Sequence, residues 1–175
     1  MAQAPDGWDG ILDPNETILW QGRPDAGLNI GPANILTAVF GTFFSGFALF
    51  WMIMAMQAGG AFWMFGLIHF SVGIGIVVTA LFGTAFVRRH TWYTLTDRRA
   101  FIATNMPVIG RKLKSYPITG DTVLEFDDAD LPSIWFAQDY RRTKRGHRTV
   151  KRGFERLPDA RTVYQSMRDI QRKAG

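Results

Sequence analysis

Seven basic residues fall within twelve positions near the carboxyl end, the densest group of charged side chains in the sequence. They are Arg141, Arg142, Lys144, Arg145, Arg148, Lys151 and Arg152. Such cations attract anionic surfaces, and each one near an anionic bilayer contributes about 1 kcal/mol. They are therefore our candidate residues for binding a lipid headgroup or a partner protein. A solvated loop that follows the positive-inside bias of membrane proteins is the alternative interpretation.

Other kinds of chemistry have little support in the residues. The chain has no cysteine, which excludes disulfides, thiolate catalysis and cysteine-bound metals. His69, His90 and His147 lie in different regions without metal-ligand spacing. No motif frames a catalytic serine, and no interleaved aromatic platform suits nucleic acid. We predict a protein that is not an enzyme, with no metal, no cofactor and no nucleic-acid partner.

A long uncharged segment must hold much of the remaining chain. Residues 26–87 contain no Asp, Glu, Lys or Arg, and two apolar runs lie within them, at 35–56 and 61–87. At 1.5 Å per residue, each would form a helix longer than the hydrocarbon core of a bilayer, which is about 30 Å thick. Only four uncharged residues separate the runs. The sequence therefore predicts a transmembrane helical hairpin over residues 35–87.

The orientation of this hairpin follows from its flanks. Arg88, Arg89, Arg98 and Arg99 come soon after the second run, whereas the loop between the runs has no charge. The positive-inside rule then places both termini in the cytoplasm, in a multi-pass protein of the inner (cytoplasmic) membrane. The segment before the first run is acidic and lacks the basic start of a cleaved signal peptide, so we expect both helices to be retained.

Small residues recur along both predicted helices at a spacing of four. They are Gly41 and Ser45 in the first helix and Ser71, Gly75, Thr79 and Gly83 in the second. Such faces let helix backbones approach closely in lipid. Packing of the hairpin on itself is the preferred interpretation, and a face for a homo-oligomer or a membrane-protein partner is the alternative. For His69, inside the second run, a functional role and a neutral hydrogen-bonded imidazole both stay open.

The flanking segments predict a small domain of strands closed by one helix. Short runs of β-branched and aromatic residues alternate with turns between residues 91 and 154, and a similar run precedes the hairpin at 16–22. Apolar residues then recur at helical spacing over 159–173. We thus expect residues 1–34 to contribute the first strand of the sheet, 35–87 the hairpin, and 88–175 the rest of the domain.

Three stretches carry a resemblance to a known family. They are NETILWQGRP at 15–24, YTLTDRR at 93–99, and GFERLPDA at 153–160. In this order the chain resembles the bacterial pleckstrin-homology (PH-like) membrane proteins. The resemblance implies an α+β membrane protein, in which a two-helix transmembrane hairpin accompanies a PH-like antiparallel β-sandwich or barrel closed by a C-terminal amphipathic helix. It implies no reaction.

Two functions are compatible with these patterns. The first is a membrane-anchored PH-like module at the cytoplasmic face that binds anionic lipid headgroups or a protein partner. The alternative is a structural or assembly subunit of a larger membrane complex, which contacts its partners through the small-residue helix face.

Overall fold

The computed structural model describes residues 7–143 and 146–175, apart from the side chains of Arg141, Thr143, His147 and Arg148. The chain forms two compact units. The helical unit spans Ala26–Val87, and the sheet unit combines the segment ending at Asp25 with Arg88–Gly175. The sheet unit is therefore built from two pieces of chain that are distant in sequence.

The helical unit contains two long apolar helices, α1 (Pro32–Gln57) and α2 (Phe65–Arg89), with a single 3-10 turn at Phe62–Met64. By length and composition both could cross a membrane. α1 begins three residues before its predicted start, because a proline suits the first helical turn, where no N–H partner is needed. α2 ends two residues after its predicted end, and the 3-10 turn replaces its predicted first residues.

Close backbone contact joins α1 to α2. The buried residues of α1 are Gly41, Ser45, Ala48 and Met52, which alternate at spacings of four and three. That alternation is typical of a left-handed helix pair. Opposite them lies Gly73, where an added Cβ would come 2.7 Å from Ser45 Cβ and 3.0 Å from the Gly41 oxygen. Only glycine fits there, because any side chain would separate the backbones.

Over its described residues, the sheet unit has seven strands in two antiparallel sheets. The four-stranded sheet has the order β1 (Ile18–Gly22), β2 (Thr91–Thr96), β3 (Arg99–Met106) and β4 (Gly110–Pro117). The three-stranded sheet has the order β5 (Glu125–Asp127), β6 (Ser133–Thr143) and β7 (Gly146–Phe154). In the described residues the two sheets do not close into a barrel, so the predicted barrel form is wrong, whereas the α+β class is confirmed.

The strand before the hairpin belongs to the four-stranded sheet. β1 pairs antiparallel with β2, with Trp20 opposite Leu95 and Gly22 opposite Tyr93. The indole Nε1 of Trp20 also donates a 2.6 Å hydrogen bond to Asp159, at the start of α3 (Ala160–Ala174). α3 begins and ends one residue after its predicted bounds. These contacts tie the first strand to both the middle and the end of the chain.

One apolar core lies between the two sheets and α3. Its largest fully buried side chain is Phe154, whose ring centroid lies 4.6 Å from that of Tyr93 and 5.1 Å from that of Phe136. Val163 and Met167 of α3 are buried in the same core. The apolar stripe of α3 therefore serves packing inside the unit, as its helical spacing indicates.

Candidate functional site

The segment before β1 covers part of the four-stranded sheet on the face away from the core. We call residues 7–16 the N-terminal latch. The Trp8 ring packs edge-on against Phe101, with centroids 5.1 Å apart. The fully buried carboxylate of Glu16 accepts hydrogen bonds from Thr96 Oγ1 at 2.6 Å and Arg99 Nη2 at 2.7 Å. Burial opposes its ionisation, but the hydrogen bonds from Arg99 and Thr96 outweigh this and lower the pKa of Glu16 to about 2.

An open cleft of about 710 Å³ lies beside the latch on the same face. Arg23, Arg111 and Lys112 are among its lining residues. Arg111 lies on the face of β4 that carries Leu113, which pairs with Ala103 beside Trp92, whereas Lys112 lies on the opposite face of the strand. The guanidinium of Arg23 lies 4.4 Å from the centre of the Trp92 ring, a cation–π contact, and Trp8 forms part of the wall. We call this the basic cleft.

No acidic side chain is among the described residues that line the basic cleft. Within residues 7–143 and 146–175, neither Arg111 nor Lys112 forms a salt bridge. Among the residues that the structure describes, no carboxylate in the lining therefore cancels the positive charge of the cleft. Arginine and lysine in such a setting suit a phosphate or carboxylate group, and the indole rings add a flat apolar wall.

Sequence reasoning missed this cleft, although part of its signal was present. Residues 98–120 contain five basic side chains and no acidic one. However, they are spread along two strands, so they do not form a local cluster. Arg23 directly follows β1, before the two long helices in the sequence. It reaches the cleft because β1 pairs with β2.

The predicted cluster at 141–152 lies on a strand hairpin, not in a loop. β6 and β7 continue almost to their connection, with Arg141 opposite Arg148 and Arg142 opposite His147. β-branched neighbours such as Thr149 and Val150 favour strands even in this basic stretch. Lys144 and Arg145 lie outside the described residues. The prediction of a loop is therefore wrong at Arg141, Arg142 and Arg148, which lie in strands. Lys151 and Arg152 lie in the last strand, as the sequence predicts, and a solvated cluster without a ligand stays the alternative.

Two basic residues of this cluster have acidic partners. Lys151 pairs with Glu125 at 2.7 Å, and Arg152 pairs with Asp139 at 2.9 Å. Asp139 also binds Lys114 at 2.6 Å, which joins the two sheets. The hydrogen bond from Lys114, supported by one from Arg152, lowers the pKa of Asp139 below its usual range.

The remaining described side chain of the cluster, Arg142, is exposed and makes no salt bridge among the residues that the structure describes. The ion pairs of Lys151 and Arg152 thus compensate much of the positive charge at the base of the β6–β7 hairpin. The described lining of the basic cleft contains no such carboxylate partner.

The predicted helix-packing residues divide into two groups. Gly41 and Ser45 lie in the contact between α1 and α2, whereas Ser71, Gly75 and Thr79 are exposed and Gly83 is half-buried. On α2 the buried small residues are instead Gly66, Gly73, Ala80 and Ala85. The first three recur at a spacing of seven, which keeps residues on one side of a helix pair and is the signal that would have found them.

His69 is exposed on α2, and its Nδ1 lies 3.3 Å from the Phe65 carbonyl oxygen. Its ring also lies near the rings of Phe65 and Phe44, at centroid distances of 5.0 and 6.3 Å. This geometry matches the hydrogen-bonded interpretation of His69. A functional role for it stays a prediction.

Compared with known family models, curated proteins and solved structures, the chain matches none of them. The PH-like resemblance therefore stays a prediction, and the case for function depends on the geometry described above.

Proposed function

We propose that the protein is a non-enzymatic, PH-like module, which α1 and α2 anchor in the inner membrane with both termini in the cytoplasm. The anchoring is supported by the apolar surface of the helical unit. Phe43 of α1, for example, exposes 81% of its surface, and large apolar side chains surround both helices. Such surfaces are unfavourable in water and favourable in lipid.

The PH-like assignment is supported by the arrangement of the sheet unit. A sheet of four strands, a sheet of three and a C-terminal helix share one core. This is the arrangement that the resemblance implies, with the hairpin inserted after the first strand.

We propose that the ligand is an anionic phospholipid headgroup and that the basic cleft binds it. The observation that carries this proposal is the absence of acidic residues from the described lining of a cleft that contains Arg23, Arg111 and Lys112. A phosphate group there would gain charge-assisted hydrogen bonds without competition from a carboxylate. The β6–β7 hairpin would add general attraction to an anionic membrane surface.

Binding can be tested with the full chain in a neutral detergent, titrated with a short-chain phosphatidylglycerol. Trp8 and Trp92 line the cleft, so tryptophan fluorescence reports occupancy. Replacing Arg23 and Arg111 by serine should weaken binding by about 2 kcal/mol, roughly 30-fold, at about 1 kcal/mol for each cation.

The matched control replaces Arg168 and Lys173, two exposed cations of α3, by serine. It removes the same charge from a different surface, so its affinity should stay close to that of the parent. Equal weakening by both double variants would mean that only net charge matters, and no weakening by either would contradict the proposal.

The orientation has a separate test. A reporter that is active only in the periplasm, fused after Gly175, should be silent because the basic residues that follow α2 keep the carboxyl terminus inside. Reporter activity would contradict the proposed orientation but not the cleft.

A second candidate function, an assembly subunit, is favoured by one observation. Ser71, Gly75 and Thr79 are exposed on α2, and an added Cβ at Gly75 would have no neighbour within 4 Å. This surface could receive a helix of another membrane protein or of a second copy. Gly75→Leu should then abolish energy transfer between donor- and acceptor-labelled chains in vesicles. If unsubstituted chains show no transfer, self-association through this face is excluded.

A further inference from the structure

The connection between β3 and β4 has an unusual composition for a turn. Residues 107–109, which we call the hairpin tip, are proline, valine and isoleucine, and Gly110 follows at a φ of +84°. Turns usually carry Gly, Asn, Asp or Ser because these residues stabilise tight bends and favour water. Here Val108 is 96% exposed and Ile109 is 63% exposed. Two apolar side chains thus project from the end of a hairpin.

The hairpin tip projects from the end of the four-stranded sheet at which β3 ends and β4 begins. β3 runs antiparallel to β2, with Thr104 opposite Thr91, the first residue of β2, and it continues to Met106. The Asn105 N–H donates a 2.9 Å hydrogen bond to the carbonyl oxygen of His90, the single residue between α2 and β2. The tip therefore lies at the end of the sheet at which β2 begins.

The charge around the hairpin tip is uniformly positive along the chain. Arg111 and Lys112 follow the tip directly, and no acidic residue occurs between Asp97 and Asp121. Apolar side chains flanked by cations are typical of segments that lie in the interfacial layer of an anionic membrane. Arg111 also lines the basic cleft, so the cleft begins two residues after the tip along β4.

We propose that the hairpin tip inserts Val108 and Ile109 into the headgroup layer of the bilayer as a third attachment beside α1 and α2. This inference depends on the proposed membrane anchoring. Insertion places Arg111 and Lys112 at the level of the lipid phosphates, with the mouth of the basic cleft beside them. The cleft then receives its ligand from the plane of the membrane.

The absence of native cysteines permits single-cysteine labelling of the full chain. Val108→Cys, Val123→Cys and Phe43→Cys are each labelled with an environment-sensitive fluorophore. Each protein is reconstituted in vesicles of phosphatidylcholine and phosphatidylglycerol. Iodide in the buffer quenches labels in water, and nitroxide-bearing lipids quench labels in the bilayer.

Val123→Cys is the matched control. Val123 is 81% exposed in the same unit. It follows β4, whose last residue Pro117 pairs with Arg99. That pair lies at the other end of the β3–β4 hairpin from the tip. Phe43→Cys tests the anchoring itself, because this side chain is exposed in the middle of α1.

The proposal expects nitroxide lipids to quench the Val108 label and iodide to quench it several-fold less than the Val123 label. If the Phe43 label is quenched by lipid while the Val108 label is as open to iodide as the Val123 label, tip insertion is wrong and anchoring stands. The tip would then be free for a protein partner. Equal shielding of Val108 and Val123 also overturns it, since the effect would not belong to the tip. A Phe43 label that lipid does not quench refutes the anchoring, and the insertion with it.

Discussion

The two units of the protein use the same kinds of side chain in opposite places. In the helical unit, large residues such as Phe43 and Phe47 are exposed, and the contact between helices is made by Gly41 and Gly73. In the sheet unit, Phe154 is fully buried. Apolar burial drives folding in water, whereas in lipid close backbone packing must replace it. The difference supports the proposal that the helical unit folds in lipid and the sheet unit in water.

Their polar interactions differ in the same sense. Residues 26–87 have no charged side chain, so the helical unit contains no ion pair. The sheet unit instead has a buried ion pair between Glu16 and Arg99, which fixes the N-terminal latch. A contact that stabilises one unit should therefore have a counterpart, in the other unit or on the surface of the same unit, whose loss leaves stability nearly unchanged.

The largest effect should come from the aromatic core of the sheet unit. Phe154→Ala should lower the free energy of unfolding of this unit by about 3–5 kcal/mol, since it leaves a cavity between two aromatic rings. Urea unfolding of the full chain in detergent, followed by near-UV circular dichroism, measures the change. Phe43→Ala, in the helical unit, should leave that midpoint unaltered. A comparable shift for both variants would remove the contrast between the units.

The next effect is a pH dependence from the N-terminal latch. The pKa of Glu16 is lowered from 4.5 to about 2 in the fold, so its contribution to stability is complete above about pH 4.5. It should be lost as the pH falls towards 2, by about 3 kcal/mol. Urea titrations at several pH values measure this loss.

Glu16→Gln should be less stable at neutral pH and should lack this part of the acid dependence. Glu125→Gln, which alters an exposed ion pair, is the control and should keep the parental slope. An acid dependence that survives in Glu16→Gln would assign it to other carboxylates.

A smaller effect is expected from the contact between α1 and α2. Gly73→Ile should weaken the contact by about 1–3 kcal/mol, because its side chain would overlap the backbone of Ser45. Pyrene labels on Phe44→Cys and His69→Cys, whose native rings lie 6.3 Å apart, report contact as excimer emission. Excimer loss should require less dodecyl sulfate in Gly73→Ile than in Gly75→Ile, which has open space. Identical dodecyl sulfate titrations of the two variants would show that the contact between α1 and α2 does not depend on Gly73.

The smallest effect should come from the surface of the β6–β7 hairpin. Lys151→Ser breaks its ion pair with Glu125, but both side chains are about half exposed, so the loss should stay below about 1 kcal/mol. The same urea titration measures it. Arg99→Ser should cost more, since it leaves the carboxylate of Glu16 buried without its cation. Reversal of this order would mean that the latch is not a stability element.

The elements of the fold could largely be predicted because each has a strong local pattern. Alternation and turn residues identify the strands, and helical spacing identifies α3. The membership of β1 in the sheet could also be predicted, because two predicted crossings would return the chain to the same side of a membrane, but its pairing with β2 could not. The closure of the sheet could not, since it depends on how residues 118–124 connect β4 to β5. The alternation over residues 122–126 predicts a strand that begins before Glu125, where β5 starts.

The sites were harder to predict because their residues come from separate parts of the chain. Counting basic residues along the sequence finds the cluster at 141–152 but not its carboxylate partners, because Glu125 and Asp139 are supplied by β5 and β6. It also misses the pairing of Arg23 with Trp92. On α2, a spacing of four selects Gly75, whereas the contact follows a spacing of seven through Gly73. Spacing alone cannot say which face of a helix meets its neighbour.

The interruption of the sheet unit by the helical unit has a consequence for biosynthesis. β1 leaves the ribosome first but has no partner until β2 is made, after the whole of residues 26–87. In the proposed membrane setting, insertion of one helix alone would leave β1 and β2 on opposite sides of the membrane. The sheet could then not be completed, and the sheet unit would stay unfolded and open to proteases. Completion of the sheet would thus distinguish a correctly inserted hairpin from one with a single inserted helix.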